Sequence, residues 1–79
     1  MEIRILGPGC PRCEEVRKRT IDVLVELNIA ADVQKITDMK KIMEYEIMAT
    51  PGLVINGRVI CSGRIPSKDE IKEWIETEK

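Results

Sequence analysis

The sequence has no histidine and no phenylalanine, one tryptophan, one tyrosine, and three cysteines in 79 residues. Without histidine, no imidazole can serve as a proton acceptor. A structural zinc site needs four ligands, and three cysteines without histidine fall one short. With so few aromatics, aliphatic side chains must build the core. No apolar run approaches the ~20 residues needed to span a bilayer. The N-terminal stretch MEIRILG lacks the basic region and long apolar segment of a secretion signal. Charge is plentiful but has no dominant sign: 13 basic and 14 acidic residues leave a net charge of −1. That balance argues against nucleic acid or an anionic membrane as the main partner.

What remains is a chain sized for a single domain over residues 1–79. A domain this small buries only about 60% of its unfolded surface, so it has little stability to spare. The expected setting is the cytosol, as a monomer. In a reducing compartment a closely spaced cysteine pair is catalytic or metal-binding rather than structural. The odd cysteine count also leaves at least one thiol outside any pairing within the chain.

The apolar spacing sets the order of elements. EIRIL (2–6) alternates as a short strand and stops at Gly7-Pro8-Gly9. From Pro11 to about Leu27, Val16, Val23, Leu24 and Leu27 share a helical stripe with Cys13 and Thr20. Pro11 suits the first helical position, which puts Cys10 at the N-cap. Asn28 can end this helix. AADVQKI (30–36) is a second strand. Asp38 can cap a helix from Met39 to about Met48, with Met39, Ile42, Met43 and Ile47 inside. Thr50-Pro51-Gly52 breaks it. LVI (53–55) and VIC (59–61) flank Asn56-Gly57, the strongest short hairpin signal. Ser67 and Glu70 form a capping box for a last helix with Ile71, Trp74 and Ile75 on its apolar face. The order is β-α-β-α-β-β-α: an α/β fold with a four-stranded mixed sheet flanked by three helices.

The chemistry concentrates in GPGCPRC, residues 7–13. A strand, a glycine-rich turn and a cysteine pair opening a helix place Cys10 against unpaired N–H groups and the positive end of the helix dipole. Both favour thiolate, and helix N-termini with nearby cations lower a thiol from near 8.5 to about 7 or below. Arg12 is the nearby cation, and Pro11 presets the helix start. Cys10 is therefore the expected nucleophile. Cys13, one turn in and facing inward, is the expected resolving thiol. A disulfide here would close a loop of two residues, and such short loops gain least from a crosslink.

The chain resembles the small thioredoxin/glutaredoxin-like redox-active disulfide proteins of archaea and bacteria. The resemblance covers nearly the whole chain through GPGCPRC, TPGLVING (50–57) and VICSG (59–63). Proline directly after the first cysteine is closer to the glutaredoxin form. Read alone, Pro51 is a trans turn that ends the second helix. The resemblance implies instead a thioredoxin-like fold, a cis Thr50-Pro51 peptide, and a Thr50 backbone that pairs with an incoming substrate strand. It also implies a protein disulfide reductase without a cofactor. Its partners would be disulfide-containing proteins and a thioredoxin reductase or other thiol donor.

Other residues carry quieter expectations. Arg4 stands six residues before Cys10, where thioredoxins carry a buried aspartate. The stretch SGRIPSKDE departs from the glycine pair with which glutaredoxins hold glutathione. Glu14 and Glu15 read as a solvated helix face. Cys61 reads as a small core residue or a regulatory thiol, and Tyr45 with Met39, Met43 and Met48 as packing. The alternative functions are a soft-metal carrier using Cys-x-x-Cys, an iron–sulfur-binding glutaredoxin-like module, and a partner-binding module without catalysis. Heavy-metal-associated domains usually carry methionine where Pro8 stands, and their element order differs.

Overall fold

Alternation of Ile3 and Ile5 with Glu2 and Arg4 gives the first strand two unlike faces, and β1 (Glu2–Leu6) buries both isoleucines. The computed structural model describes residues 1–9, 11–47 and 49–78. Helix α1 (Pro11–Leu27) follows, with Cys13, Val16, Thr20, Val23 and Leu24 on its buried stripe. Thr20 satisfies its hydroxyl by donating to the Val16 carbonyl at 2.8 Å. The helix ends as expected at Asn28, whose φ of 55° is left-handed. The Ile29 and Asn28 N–H groups then reach back to Leu24 and Val25, so two terminal carbonyls are capped.

Strand β2 (Asp32–Ile36) begins two residues later than the apolar pattern suggests. Its pairing with β1 is parallel and starts at Glu2 opposite Asp32. Helix α2 (Met39–Glu44) has Asp38 as its N-cap, accepting from the Lys40 N–H at 2.9 Å. It is shorter than the sequence pattern predicts. Tyr45 caps it and Glu46 turns left-handed at φ 59°, so the helical path cannot continue. Only Ile42 of this helix is buried, and Met39 and Met43 are 54% and 68% exposed, correcting the expectation that both lie inside. A helix of six residues is only about 9 Å long, so it reaches one corner of the sheet with one inward residue. Met48 lies outside the described residues.

β3 (Gly52–Ile55) is buried along its whole length. It pairs antiparallel with β1 and with β4 (Arg58–Ser62), giving the order β2-β1-β3-β4. Asn56 and Gly57 have φ of 51° and 82°, the paired positive values of the expected hairpin turn. Asn56 also accepts from the Glu2 N–H at 3.0 Å and so ties the turn to β1. Opposite Leu53 and Val54 stand Cys61 and Val59, which leaves Ile60 as the extra residue of a bulge. α3 (Lys68–Glu78) opens on the predicted box: the Glu70 N–H donates to Ser67 Oγ, and the Ser67 N–H to Glu70 Oε1, each at 3.2 Å.

The elements form the expected mixed sheet with helices on both sides. α1 and α3 cover one face, where Ile3, Ile5, Val23, Leu53, Ile55, Ile71 and Ile75 pack together. On the other face α2 joins Ile42 to Leu6 and Val54. The sheet thereby holds the ends of β1 and β3 and the start of α1 in one place.

Candidate functional site

Leu6 pairs with Gly52, so Gly7 leaves β1 beside the point where Pro51 enters β3. Gly7 is buried, and its N–H donates to the Ile36 carbonyl at 3.0 Å. Cys13 is 2% exposed and lies directly against it. A Cβ added to Gly7 would fall 2.1 Å from Cys13 Sγ and 3.0 Å from its Cβ. The glycine thus provides the space in which the buried sulfur sits. Sequence reading treated Gly7 only as a strand stop. The signal was its adjacency to the cysteine motif, but the contact itself needed the packing of α1 on β1.

The Thr50-Pro51 peptide is cis. Pro51 is buried and Thr50 half-buried. The Pro51 carbonyl accepts from the Gly63 N–H at 2.9 Å, which fastens the loop to the end of β4. Gly63 in turn accepts at its carbonyl from Arg12 Nη2 at 3.3 Å. Through these contacts the start of α1, the loop before β3 and the exit of β4 meet at one end of the sheet. Pro11 is the first residue of α1 and is exposed, as is Arg12. Cys10, the expected nucleophile, lies outside the described residues. Of the six residues proposed from sequence, Cys13, Thr50, Pro51, Pro11 and Arg12 are therefore placed at this end.

The thioredoxin domain family model matches residues 1–76. A thioredoxin from Methanothermobacter thermautotrophicus is 40% identical over 73 residues, covering 92% of this chain and 95% of that protein. A thioredoxin from Methanocaldococcus jannaschii is 37% identical over 75 residues, covering 95% of this chain and 86% of that protein. The chain belongs to the thioredoxin domain family. Its general class is accordingly that of a thiol–disulfide oxidoreductase, and the observed sheet and helices are those of a thioredoxin-like fold.

Several charged groups around this thioredoxin-like site have their own partners. Arg4 does not turn toward Gly7. Its guanidinium donates to the Ile3 and Asp32 carbonyls and pairs with Glu2 and Asp32, at the opposite end of the strands. Glu14, next to Cys13 in α1, pairs with Lys35, and that hydrogen bond holds its carboxyl below the usual range. Glu15 pairs with Arg19, which also donates to the Pro66 carbonyl at 2.9 Å and ties α1 to the approach to α3. Cys61 is 7% exposed within the α1/α3 core, as its packing role predicts. Burial pushes its thiol up, against the opposing pull of Arg64. Arg64 and Ser67 hold the Glu70 carboxyl down at about 2. Among the described residues no helix is long and apolar enough to cross a membrane.

Proposed function

We propose that the protein reduces protein disulfides through Cys10 and Cys13, with the Thr50–Pro51 loop as the docking edge for an extended substrate. The observation that carries this reading is the burial of Cys13 against Gly7 at the end of the sheet that also bears the Pro51 loop. A thiol sheltered in the first turn of a helix, as Cys13 is, can wait until a mixed disulfide forms on its partner and then resolve it.

In the first step the Cys10 thiolate attacks one sulfur of the substrate disulfide. The Cys10–substrate S–S bond forms, the substrate S–S bond breaks, and the displaced thiolate takes a proton from solvent. In the second step the Cys13 thiolate, its proton lost to solvent, attacks the Cys10 sulfur. The mixed disulfide breaks and the second substrate thiolate leaves. Two electrons have moved from the protein dithiol to the substrate, leaving Cys10–Cys13 oxidised. A thioredoxin reductase or a small-thiol donor returns the pair to the dithiol. The Thr50 backbone supplies main-chain hydrogen bonds to the segment bearing the disulfide, a mode that captures extended chains with little regard to sequence.

The test is insulin reduction with a thiol donor, paired with target trapping. Cys10→Ser is expected to abolish turnover. Cys13→Ser is expected to accumulate mixed disulfides, visible as reducible adducts on gels. Full insulin reduction by Cys10→Ser would refute the proposal.

A further inference from the structure

Gly63 is held from two sides. Its N–H donates to the Pro51 carbonyl, and its carbonyl accepts from Arg12 Nη2. Its φ is +78°, and a Cβ there would meet Ala49 Cβ at 3.2 Å, so both the backbone angle and the space favour glycine. Arg12 is exposed and lies one residue before Cys13. Its acidic neighbours in α1 are already engaged: Glu14 with Lys35 and Glu15 with Arg19. Among the described residues no carboxylate pairs with Arg12. Its guanidinium instead spans to a backbone carbonyl 51 positions away in sequence. That contact lies one hydrogen bond from the loop proposed to receive substrate.

We propose that Arg12 is a positioning residue for substrate docking: acting through Gly63, it holds the Thr50–Pro51 loop in register with the first turn of α1. This rests on the docking role assigned to Thr50 above. A loop that offers main-chain groups binds best when its geometry is fixed beforehand, since any freedom frozen on binding weakens the complex. The reacting sulfurs must also approach within a narrow range, and small misplacements are costly in rate. A tether from the helix that carries Cys13 to the strand that anchors the loop meets both needs. The sequence offered Arg12 as a solvated helix-start residue, as a substrate contact, or as a cation that tunes the Cys10 thiolate. The contact with Gly63 gives it a different task, and tethering and tuning have different signatures.

The experiment compares three oxidised probes: an extended peptide disulfide, the same peptide with N-methylated amides flanking its cysteine, and hydroxyethyl disulfide. Wild type is expected to prefer the unmethylated peptide. Arg12→Met keeps the aliphatic stem but removes the donor. It is expected to lower kcat/KM on the unmethylated peptide by about three- to tenfold, mainly through KM, as fits the loss of one solvent-exposed hydrogen bond of ordinary net strength. The loss on hydroxyethyl disulfide should be at least threefold smaller, roughly the margin that one such bond provides. The pH midpoint for iodoacetamide labelling of the dithiol should stay in place. Arg12→Lys, which keeps a cationic donor, should recover part of the KM. Gly63→Ala should raise KM in the same way, and the double variant should do little more than the worse single one.

Equal losses on all probes, with a shifted labelling midpoint, would overturn the proposal in favour of thiolate tuning. If wild type prefers the unmethylated peptide and Arg12→Met keeps that preference undiminished, the tether is idle and this proposal alone falls. If wild type does not distinguish the methylated from the unmethylated peptide, the docking role of Thr50 falls, and this proposal with it.

Discussion

Adding one methyl group at Gly7 is expected to destabilise the protein by way of a single sulfur. In Gly7→Ala the new Cβ would stand 2.1 Å from Cys13 Sγ, whereas carbon atoms in contact ordinarily keep about 3.5–4.0 Å. Either the sulfur or the start of α1 must therefore move by roughly 1.5 Å, the difference between the two distances. Such overpacking costs about 1–3 kcal/mol. Against it stands a gain of about 0.4–1 kcal/mol, because alanine has less freedom than glycine to lose on folding. The net expectation is a loss centred on about 1.3 kcal/mol and reaching at most about 2.6 kcal/mol, and the central value lowers Tm by about 5–10 °C in a domain of this size. Urea unfolding of the fully reduced protein, followed by far-UV circular dichroism, measures it without a disulfide contribution. Cys13→Ala provides the control. It removes the sulfur and leaves only the contact at 3.0 Å, so Gly7→Ala in that background should cost less than half as much. If Gly7→Ala is neutral, or costs the same with and without the sulfur, the packing argument is refuted.

The charge box at the start of α3 gives a pH signature. Arg64 first, and then the Ser67 N–H, depress the Glu70 carboxyl to about 2 in the folded protein, below its ordinary value of 4.5. Its stabilising effect is therefore full above about pH 4.5 and is lost as pH falls toward 2, since the unfolded chain takes up the proton first. The Tm difference between wild type and Glu70→Gln should shrink across that window, and a difference that is constant from pH 7 to 2 would contradict the assignment. Cys61 should resist iodoacetamide in the folded protein at neutral pH and react once guanidinium exposes it, because burial both shields the thiol and disfavours its thiolate. Mass mapping of the labelled peptides reads this, and rapid labelling of Cys61 in the native state would contradict its core placement.

Much of this architecture was legible one element at a time. The Asn56-Gly57 turn, the Asp38 cap, the Ser67/Glu70 box and the end of α1 at Asn28 all depend on groups within a few residues of each other. For such features the local sequence contains nearly the whole physical cause. The stripe from Cys13 to Leu24 likewise follows from helical periodicity, and the cysteine spacing with its proline pointed to redox chemistry before any fold was known. The length of α2 was a different matter. Met39, Ile42 and Met43 have the right spacing for a buried face, but spacing does not say how much sheet a helix reaches. The left-handed turn at Glu46 and the small contact at Leu6 and Val54 decided that, leaving both methionines outside.

The sequence by itself determined the order of elements, the aliphatic core and the dithiol motif, because these depend on composition and on periodicity along the chain. The tertiary structure decided which distant groups meet the motif. Gly7 packs against the Cys13 sulfur only because α1 folds back over the end of β1. Arg4 turns toward Asp32, away from Gly7, because parallel pairing sets that acid opposite Glu2, within 3.5 Å of the guanidinium. Arg12, Gly63 and Pro51 become one connected set only where the start of α1, the exit of β4 and the entry of β3 converge. Each of these contacts joins residues whose separation along the chain carries no periodic signal, so the assembled sheet and helices had to bring them together.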